Sequence, residues 1–192
     1  MDNRKILVID AHPDPDPARF VHALAQAYAR GAAKHDPRQL KLAGIDFPML
    51  RGNKDWLEGK PPAVIAAAQA DIAWAEHVVI FYPLWLGDVP ALLKAFLEQV
   101  MRPGFALAYR DKGLPKKLLA GRSARIVVTM GMPGLFYRLF YGAHSVKSLE
   151  RNILRFVGFR PVERTIIGSV EADRESRRKW IAEMKALGAA GN

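Results

Sequence analysis

Five short apolar runs, each giving way to a stretch of helical periodicity, constrain this chain more than any other feature. The runs lie at residues 5–11 (KILVIDA), 39–45 (QLKLAGI), 77–81 (HVVIF), 124–130 (ARIVVTM) and 160–168 (RPVERTIIG). They are short, rich in β-branched residues and mostly apolar on both sides, as strands buried on both faces must be. Residues 18–34, 63–75, 90–101, 144–157 and 173–187 space their apolar side chains as helices do. Strand alternating with helix predicts an α/β fold, with a five-stranded parallel sheet covered by helices on both faces. Residues 46–62 hold Pro48, Gly52, Asn53, Gly59, Pro61 and Pro62 and read as a long surface loop. No linker, repeat or low-complexity tract interrupts the pattern, so residues 1–192 are expected to form one domain.

Composition removes several chemistries. The chain has no cysteine, which excludes disulfides, thiolate nucleophiles and cysteine-ligated metals. It has no GxSxG elbow and no HExxH, and its acidic residues are scattered, so hydrolase and metalloenzyme readings have little support. The start, Met1-Asp2-Asn3-Arg4-Lys5, lacks a signal-peptide core, and no apolar run has membrane-spanning length. A cytoplasmic address is expected. The net charge of +10 comes from 29 basic and 19 acidic residues, concentrated in 102–125 and 151–185 without one long basic block. No nucleic-acid motif accompanies it, so a solvated basic surface is expected rather than a nucleic-acid partner.

Three loops follow strands and carry the chemistry. If the first, third and fourth strands are neighbours, these loops converge on the edge where open parallel sheets bind ligands. The first loop, Ala11-His12-Pro13-Asp14-Pro15-Asp16-Pro17-Ala18-Arg19-Phe20, leads into a helix N-terminus, whose free N–H groups favour an anion such as phosphate. Asp14 or Asp16 either caps the helix or serves a ligand; His12 either bonds a phosphate or braces the loop. Arg19 is the cation placed to meet a phosphate. The second loop, Tyr82-Pro83-Leu84-Trp85-Leu86-Gly87-Asp88-Val89-Pro90, is either a rigid hydrophobic turn or, since Trp85 and Leu86 need more cover than a short turn gives, a ligand or partner surface shaped to hold a flat ring. The third, Thr129-Met130-Gly131-Met132-Pro133-Gly134, offers close backbone approach at Gly131 and Gly134. It runs into an aromatic stretch, from which a tyrosine and a histidine can donate hydrogen bonds to a substrate oxygen.

These residues resemble the flavodoxin-like NAD(P)H:quinone oxidoreductase family, which includes DT-diaphorase, the modulator of drug activity B, and ancillary flavoproteins of potassium-efflux systems. The resemblance rests on Ala11-His12-Pro13, on Pro83-Leu84-Trp85-Leu86-Gly87-Asp88-Val89-Pro90-Ala91-Leu92-Leu93-Lys94, on Arg102-Pro103-Gly104-Phe105-Ala106 and on Thr129-Met130-Gly131. It implies a flavodoxin-like three-layer sandwich holding FMN or FAD, with NAD(P)H as hydride donor and a quinone-like acceptor reduced by two electrons. By the same resemblance His12, Asp16, Arg19 and Phe20 lie at the flavin phosphate. Pro83, Leu84, Trp85 and Leu86 wrap the isoalloxazine, and Thr129, Met130 and Gly131 close its other side. Tyr137 and His144 correspond to the tyrosine and histidine that stabilise reduced flavin and quinone. Related chains place a serine before the aromatic residue of the first loop; here Pro17-Ala18-Arg19-Phe20 is two residues longer and lacks the hydroxyl. The resemblance also implies a homodimer, for which the Trp85 and Leu86 rim and residues 136–141 suit an interface. The alternative it leaves is a regulatory or ancillary subunit beside a membrane transporter, with peripheral membrane contact.

Overall fold

The computed structural model of the chain describes residues 3–171 and 173–192. Met1 and Asp2, part of the segment read above as lacking a signal peptide, lie outside the described residues. β1 (Ile6–Asp10) is followed by α1 (Phe20–Gly31) and β2 (Arg38–Lys41). Then come α2 (Asn53–Glu58), α3 (Ala63–Trp74), β3 (His77–Pro83) and α4 (Ala91–Val100). A small hairpin of β4 (Leu107–Ala108) and β5 (Lys116–Lys117) precedes β6 (Ser123–Thr129). α5 (Gly134–Leu139), α6 (His144–Ser148), a π-helical stretch (Leu149–Leu154) and α7 (Arg155–Val157) lead to β7 (Val162–Ile167), and α8 (Arg174–Ala190) follows.

The five long strands form one parallel sheet in the order β2-β1-β3-β6-β7. Successive side chains of a strand point to opposite faces. Ile6, Val8, Val79, Phe81 and Val127 therefore share one face with Val21, Leu24 and Tyr28 of α1 and Met184 of α8. Leu7, Ile9, Val78, Ile80, Ile126 and Val128 pack on the other against α3, α4 and the helical stretch after α5. The chain leaves β1 outward to β2, then returns across β1 to β3. That reversal puts α1 and α3 on opposite faces and opens a crevice at the carboxyl ends of β1 and β3. Among the described residues no helix is long and apolar enough to cross a membrane.

Three local expectations change. The second strand ends at Lys41, and Leu42–Gly44 winds into a 3-10 turn. Residues 46–62 are not all loop: α2 forms there because buried Arg102 donates to the carbonyls of Asp55, at 2.6 Å, and Gly59, at 2.9 Å. The 144–157 helix divides into α6, the π stretch and α7, and Glu150 of the π stretch is buried against Arg155 and Arg164. Arg102 and Arg125 are themselves buried, so the basic surplus of 102–125 is partly structural rather than solvated.

Candidate active site

Parallel register brings the loops to one level. The Ala11 N–H donates to Phe81 O at 2.8 Å, the Leu84 N–H to Thr129 O at 2.8 Å, and the Met130 N–H to Ile167 O at 2.9 Å. The loops after β1, β3, β6 and β7 thus start from neighbouring rungs of one sheet edge.

The first loop is shaped by its own aspartates. Buried Asp10 accepts the His12 N–H at 3.3 Å, and its other oxygen meets His22 Nδ1 at 2.5 Å. His22 Nε2 reaches the Asp14 carbonyl at 2.9 Å, so one histidine pins the loop at both ends. Asp14 accepts the Asp16 N–H at 2.9 Å, and Asp16 accepts the Ala18 N–H at 3.0 Å. These are successive Asx turns. Neither aspartate caps α1, whose N-cap is Arg19 with no side-chain capping bond, so the capping alternative is not realised. Arg19 lies against Asp14, with Nε at 2.8 Å and Nη2 at 2.6 Å, and its Nη2 is 3.6 Å from Asp16. The Asp16 N–H bond, and after it Arg19, hold the Asp14 carboxyl below its ordinary range.

His12 Nδ1 accepts the Asp14 N–H at 3.1 Å, which leaves Nε2 to carry the proton of the neutral ring. Burial, reinforced by neighbouring His22, holds the His12 ring below its ordinary value and so neutral. The residue therefore does both things its sequence context left open: it braces the loop and keeps one N–H to give. The half-buried Phe20 ring lies 4.6 Å beneath the Arg177 guanidinium of α8. Arg177 thus brings a second cation to the α1 N-terminus. Sequence reading missed it because Arg177 is one of several basic residues in a charged helix; only the α1–α8 packing singles it out.

The second loop is a tight turn. Trp85 and Asp88 exchange both backbone hydrogen bonds at 3.0 Å, with Leu86 and Gly87 between them at φ 47° and 78°. Positive φ at both central residues is the requirement of a type I′ turn. Among the described residues the Leu86 and Gly87 N–H groups have no backbone partner. Pro83 is buried at the end of β3 and Leu84 half-buried, whereas Trp85 is half-exposed and Leu86 fully exposed. An apolar cavity of about 430 Å³ beside this turn is lined by Trp85, Leu86, Val89, Ser148, Leu149 and Ile153.

The third loop is held from behind. The carbonyls of Met130 and Met132 accept the N–H groups of Val170, at 3.2 Å, and Ser169, at 3.0 Å. A Cβ on Gly168 would sit 2.1 Å from Gly134 N, so this is where backbones meet, whereas nothing lies within 4 Å of a Cβ on Gly131. Gly134 is the approached partner of Gly168, and Gly131 faces open space. Thr129 and Met130 are buried beside it.

Tyr137 is fully buried, and its phenol oxygen accepts the Val146 N–H at 3.4 Å. Tyr82 meets Ser145 at 3.0 Å in the same knot, which fastens the start of α6 to the sheet end. Burial raises the Tyr137 phenol above its ordinary value. His144 is exposed on the first turn of α6. The structure thus brings His12 and Trp85 together at one edge, with Asp16, Arg19 and Phe20 at the α1 end and Thr129 to Gly131 opposite. Tyr137 is buried beneath the start of α6, and His144 is exposed on that helix.

A flavin can be tested against this donor set. One end offers a neutral imidazole N–H, two guanidinium groups and an uncapped helix N-terminus, which suit a phosphate. The other end offers an apolar turn with free N–H groups and an open glycine, which suit a flat ring edged with acceptors. The residues fit.

A family described as a flavodoxin-like fold matches residues 4–187. The chain is 31% identical over 134 residues to the rat NAD(P)H dehydrogenase [quinone] 1, covering 66% of this chain and 47% of that one. It is 31% identical over 113 residues to an FMN-dependent NADH:quinone oxidoreductase of Colwellia psychrerythraea, covering 59% and 55%. The matched segments therefore span about half the length of these relatives. An NAD(P)H:quinone oxidoreductase structure from Methanothermobacter marburgensis superposes over both whole chains, with a TM-score of 0.83 at 21% identity.

Proposed function

The chain belongs to the family of flavodoxin-like folds, and from that membership we propose that it is a flavin-dependent NAD(P)H oxidoreductase that reduces quinone-like acceptors. The observation that carries this reading is the meeting of His12 with Trp85, which joins an anion end to a ring wall in one crevice. The named activities of the rat and Colwellia relatives support it, and the latter's name favours FMN over FAD.

Bound flavin would supply two-electron hydride exchange between the two substrates. His12 Nε2–H, Arg19, Arg177 and the free N–H groups of α1 would hold its phosphate, with Asp16 and Phe20 shaping that end. Pro83, Leu84 and Trp85 would form the ring wall, and the N–H groups of Leu86 and Gly87 would meet ring acceptors. Thr129, Met130 and Gly131 would close the opposite side. His144 would donate to the acceptor oxygen as charge develops there. Tyr137, bonded to Val146 beneath, would act as a positioning residue for the α6 turn that carries His144.

Substrate exchange needs an open approach, and Trp85 and Leu86 are exposed on the turn after β3, as are Phe136, Leu139, Phe140 and Tyr141 around α5. The homodimer would use these exposed apolar side chains, and a peripheral membrane contact would draw on the net charge of +10. A yellow protein, or one that takes up FMN with quenched fluorescence and then oxidises NADPH or NADH with menadione, supports the assignment. A colourless protein that takes up neither FMN nor FAD overturns it and leaves the ancillary-subunit reading.

A further inference from the structure

We propose that His22 is the positioning residue of the loop after β1, and that it works as an imidazolium, so that the grip on a flavin phosphate depends on one proton. His22 lies in the first turn of α1, with its side chain 15% exposed and that of Asp10 5% exposed, so water is a poor substitute for a missing partner. Its two ring nitrogens both face acceptors. Nδ1 is 2.5 Å from Asp10 Oδ2, and Nε2 is 2.9 Å from the Asp14 carbonyl oxygen. A carboxylate and a carbonyl have lone pairs and no hydrogen to give. A neutral ring carries one N–H, so either tautomer sets a bare nitrogen against a bare oxygen, whereas the imidazolium donates to both. A neutral ring makes both bonds only if the proton moves to Asp10, against the ordinary order of acidity of carboxylic acid and imidazolium. Asp10 Oδ1 meanwhile accepts the His12 N–H, so the carboxylate acts as an acceptor at both oxygens.

What this charge holds is Asp14. The Asp14 carbonyl receives His22, its N–H donates to His12 Nδ1 at 3.1 Å, and its carboxylate takes the Asp16 N–H and Arg19. The two groups this loop offers a phosphate, the His12 Nε2–H and Arg19, are thus both placed by Asp14, and His22 ties Asp14 back to β1 through Asp10. The His22 and His12 rings lie 5.3 Å apart, so a charge on the first opposes a charge on the second and keeps His12 neutral. Among the described residues, the remaining charges around His22 are Arg19 with the Asp14 and Asp16 carboxylates on the loop, and Lys41 of β2. Lys41 shares with Asp10 and His22 the lining of a cavity of about 350 Å³. Lys41 and Arg19 oppose a charge on the ring, while Asp10, in hydrogen-bond contact with it, favours one more strongly because Coulomb energy falls with distance. Loss of the proton turns one of the two bonds into a repulsion, and the loop yields. A phosphate bound there and the proton on His22 therefore favour each other. That consequence, though not the state of the ring, rests on the flavin reading.

The test begins with the ring nitrogens of His22, read by proton–nitrogen correlation in the flavin-free, nitrogen-labelled full chain and assigned by their absence from His22→Gln. Both nitrogens should carry hydrogen, and the pH step that removes one should also displace the Asp14 amide signal. A bare nitrogen at every pH where the chain is folded, or a step that leaves the Asp14 amide in place, overturns the proposal. Native protein should bind FMN roughly tenfold more weakly above that step than below it, relative to variants that lack the ring. Riboflavin, without a phosphate, should show no such step. His22→Gln keeps a donor for the Asp14 carbonyl and His22→Asn one for Asp10, and neither carries a charge. Below the step each should bind FMN about tenfold more weakly than native, with riboflavin binding kept. If one variant fails to fold, the other serves. A native FMN profile that matches the variants across the step overturns the proposal. So do variants that lose riboflavin as much as FMN, since His22 then only supports the fold. If neither flavin binds, the flavin reading fails and inorganic phosphate replaces FMN as the probe; a ring whose titration phosphate leaves unmoved then overturns the proposal.

Discussion

His12 and Trp85 stand edge to face, 5.8 Å between ring centroids with planes 86° apart. The contact joins the loop after β1 to the loop after β3 across the crevice between those strands. His12 is held from one side by Asp14, which fixes its tautomer, and from the other by the indole. The loop proposed to hold the phosphate and the loop proposed to wall the ring are therefore one mechanical unit.

His12→Ala should weaken FMN binding by roughly ten- to a hundredfold, the range for a hydrogen bond to a charged group. Riboflavin, without a phosphate, should lose far less. Trp85→Ala should weaken both ligands, and the double variant should lose less than the two single losses together, by about 0.5–1 kcal/mol. Flavin fluorescence titrations of the four proteins measure this. Equal losses for FMN and riboflavin in His12→Ala would remove the phosphate role.

Arg19 meets a phosphate only by giving up Asp14. Asp14→Asn keeps the acceptor for the Asp16 N–H and removes the charge that holds the guanidinium. It should tighten FMN binding by up to about fivefold, the most an exposed pair is worth, and leave riboflavin unchanged. Arg19→Gln should do the opposite to FMN. Calorimetric titration with both ligands decides it.

Much of this was legible in the sequence. The apolar runs pointed to the parallel sheet, which the structure has, and the proline- and glycine-rich loops pointed to the edge where the candidate site lies, because period and turn chemistry are local properties. What stayed hidden depends on long-range packing. His22 reads as one more residue on a helix until Asp10 is seen beside it. Arg177 gains its place only through α8 lying on α1. Tyr137 matches a motif, yet its phenol turns inward because α6 supplies a buried N–H. The α2 helix escaped a reading based on prolines because its stabilising residue, Arg102, lies more than forty positions away.

Leu86→Asn tests the strained turn. Asparagine tolerates the left-handed region that costs leucine roughly 1 kcal/mol, and the leucine side chain buries nothing in exchange. The variant should gain about 0.5–1 kcal/mol of stability by chemical denaturation. Unchanged or lower stability would mean that the turn is not strained.

His77 gives the fold an acid weakness. Burial first, then Arg4 and Arg125, pulls its ring down to about 3 from an ordinary 6.5. Between those values the unfolded chain takes up a proton that the folded chain refuses, so stability is complete above 6.5 and drains as pH falls toward 3. From pH 7.5 to 5.0 the loss should be about 2 kcal/mol. His77→Gln should be less stable at pH 7.5, because the bond to Ser123 Oγ at 2.7 Å is disturbed, but should show a flatter slope. Urea unfolding of both proteins at the two pH values checks the sign; parallel slopes would exonerate His77.

Gly31 and Gly188 let α1 and α8 touch backbone to backbone. A Cβ on Gly188 would lie 2.1 Å from Tyr28 O, and one on Gly31 would lie 2.0 Å from Lys185 O. Within a helix, glycine to alanine ordinarily gains about 1 kcal/mol. Here the sign should reverse, because neither backbone can yield without separating two helices that together cover one whole face of the sheet. Gly188→Ala should cost about 2–3 kcal/mol or more. Gly44→Ala, where nothing lies within 4 Å of the added carbon, should be close to neutral. Because α8 carries Arg177 to Phe20, Gly188→Ala should also weaken FMN binding more than riboflavin binding, linking a backbone contact at one end of the helix pair to the phosphate at the other. A Gly188→Ala protein with native urea midpoint and native FMN affinity would show that the crossing is looser than its geometry.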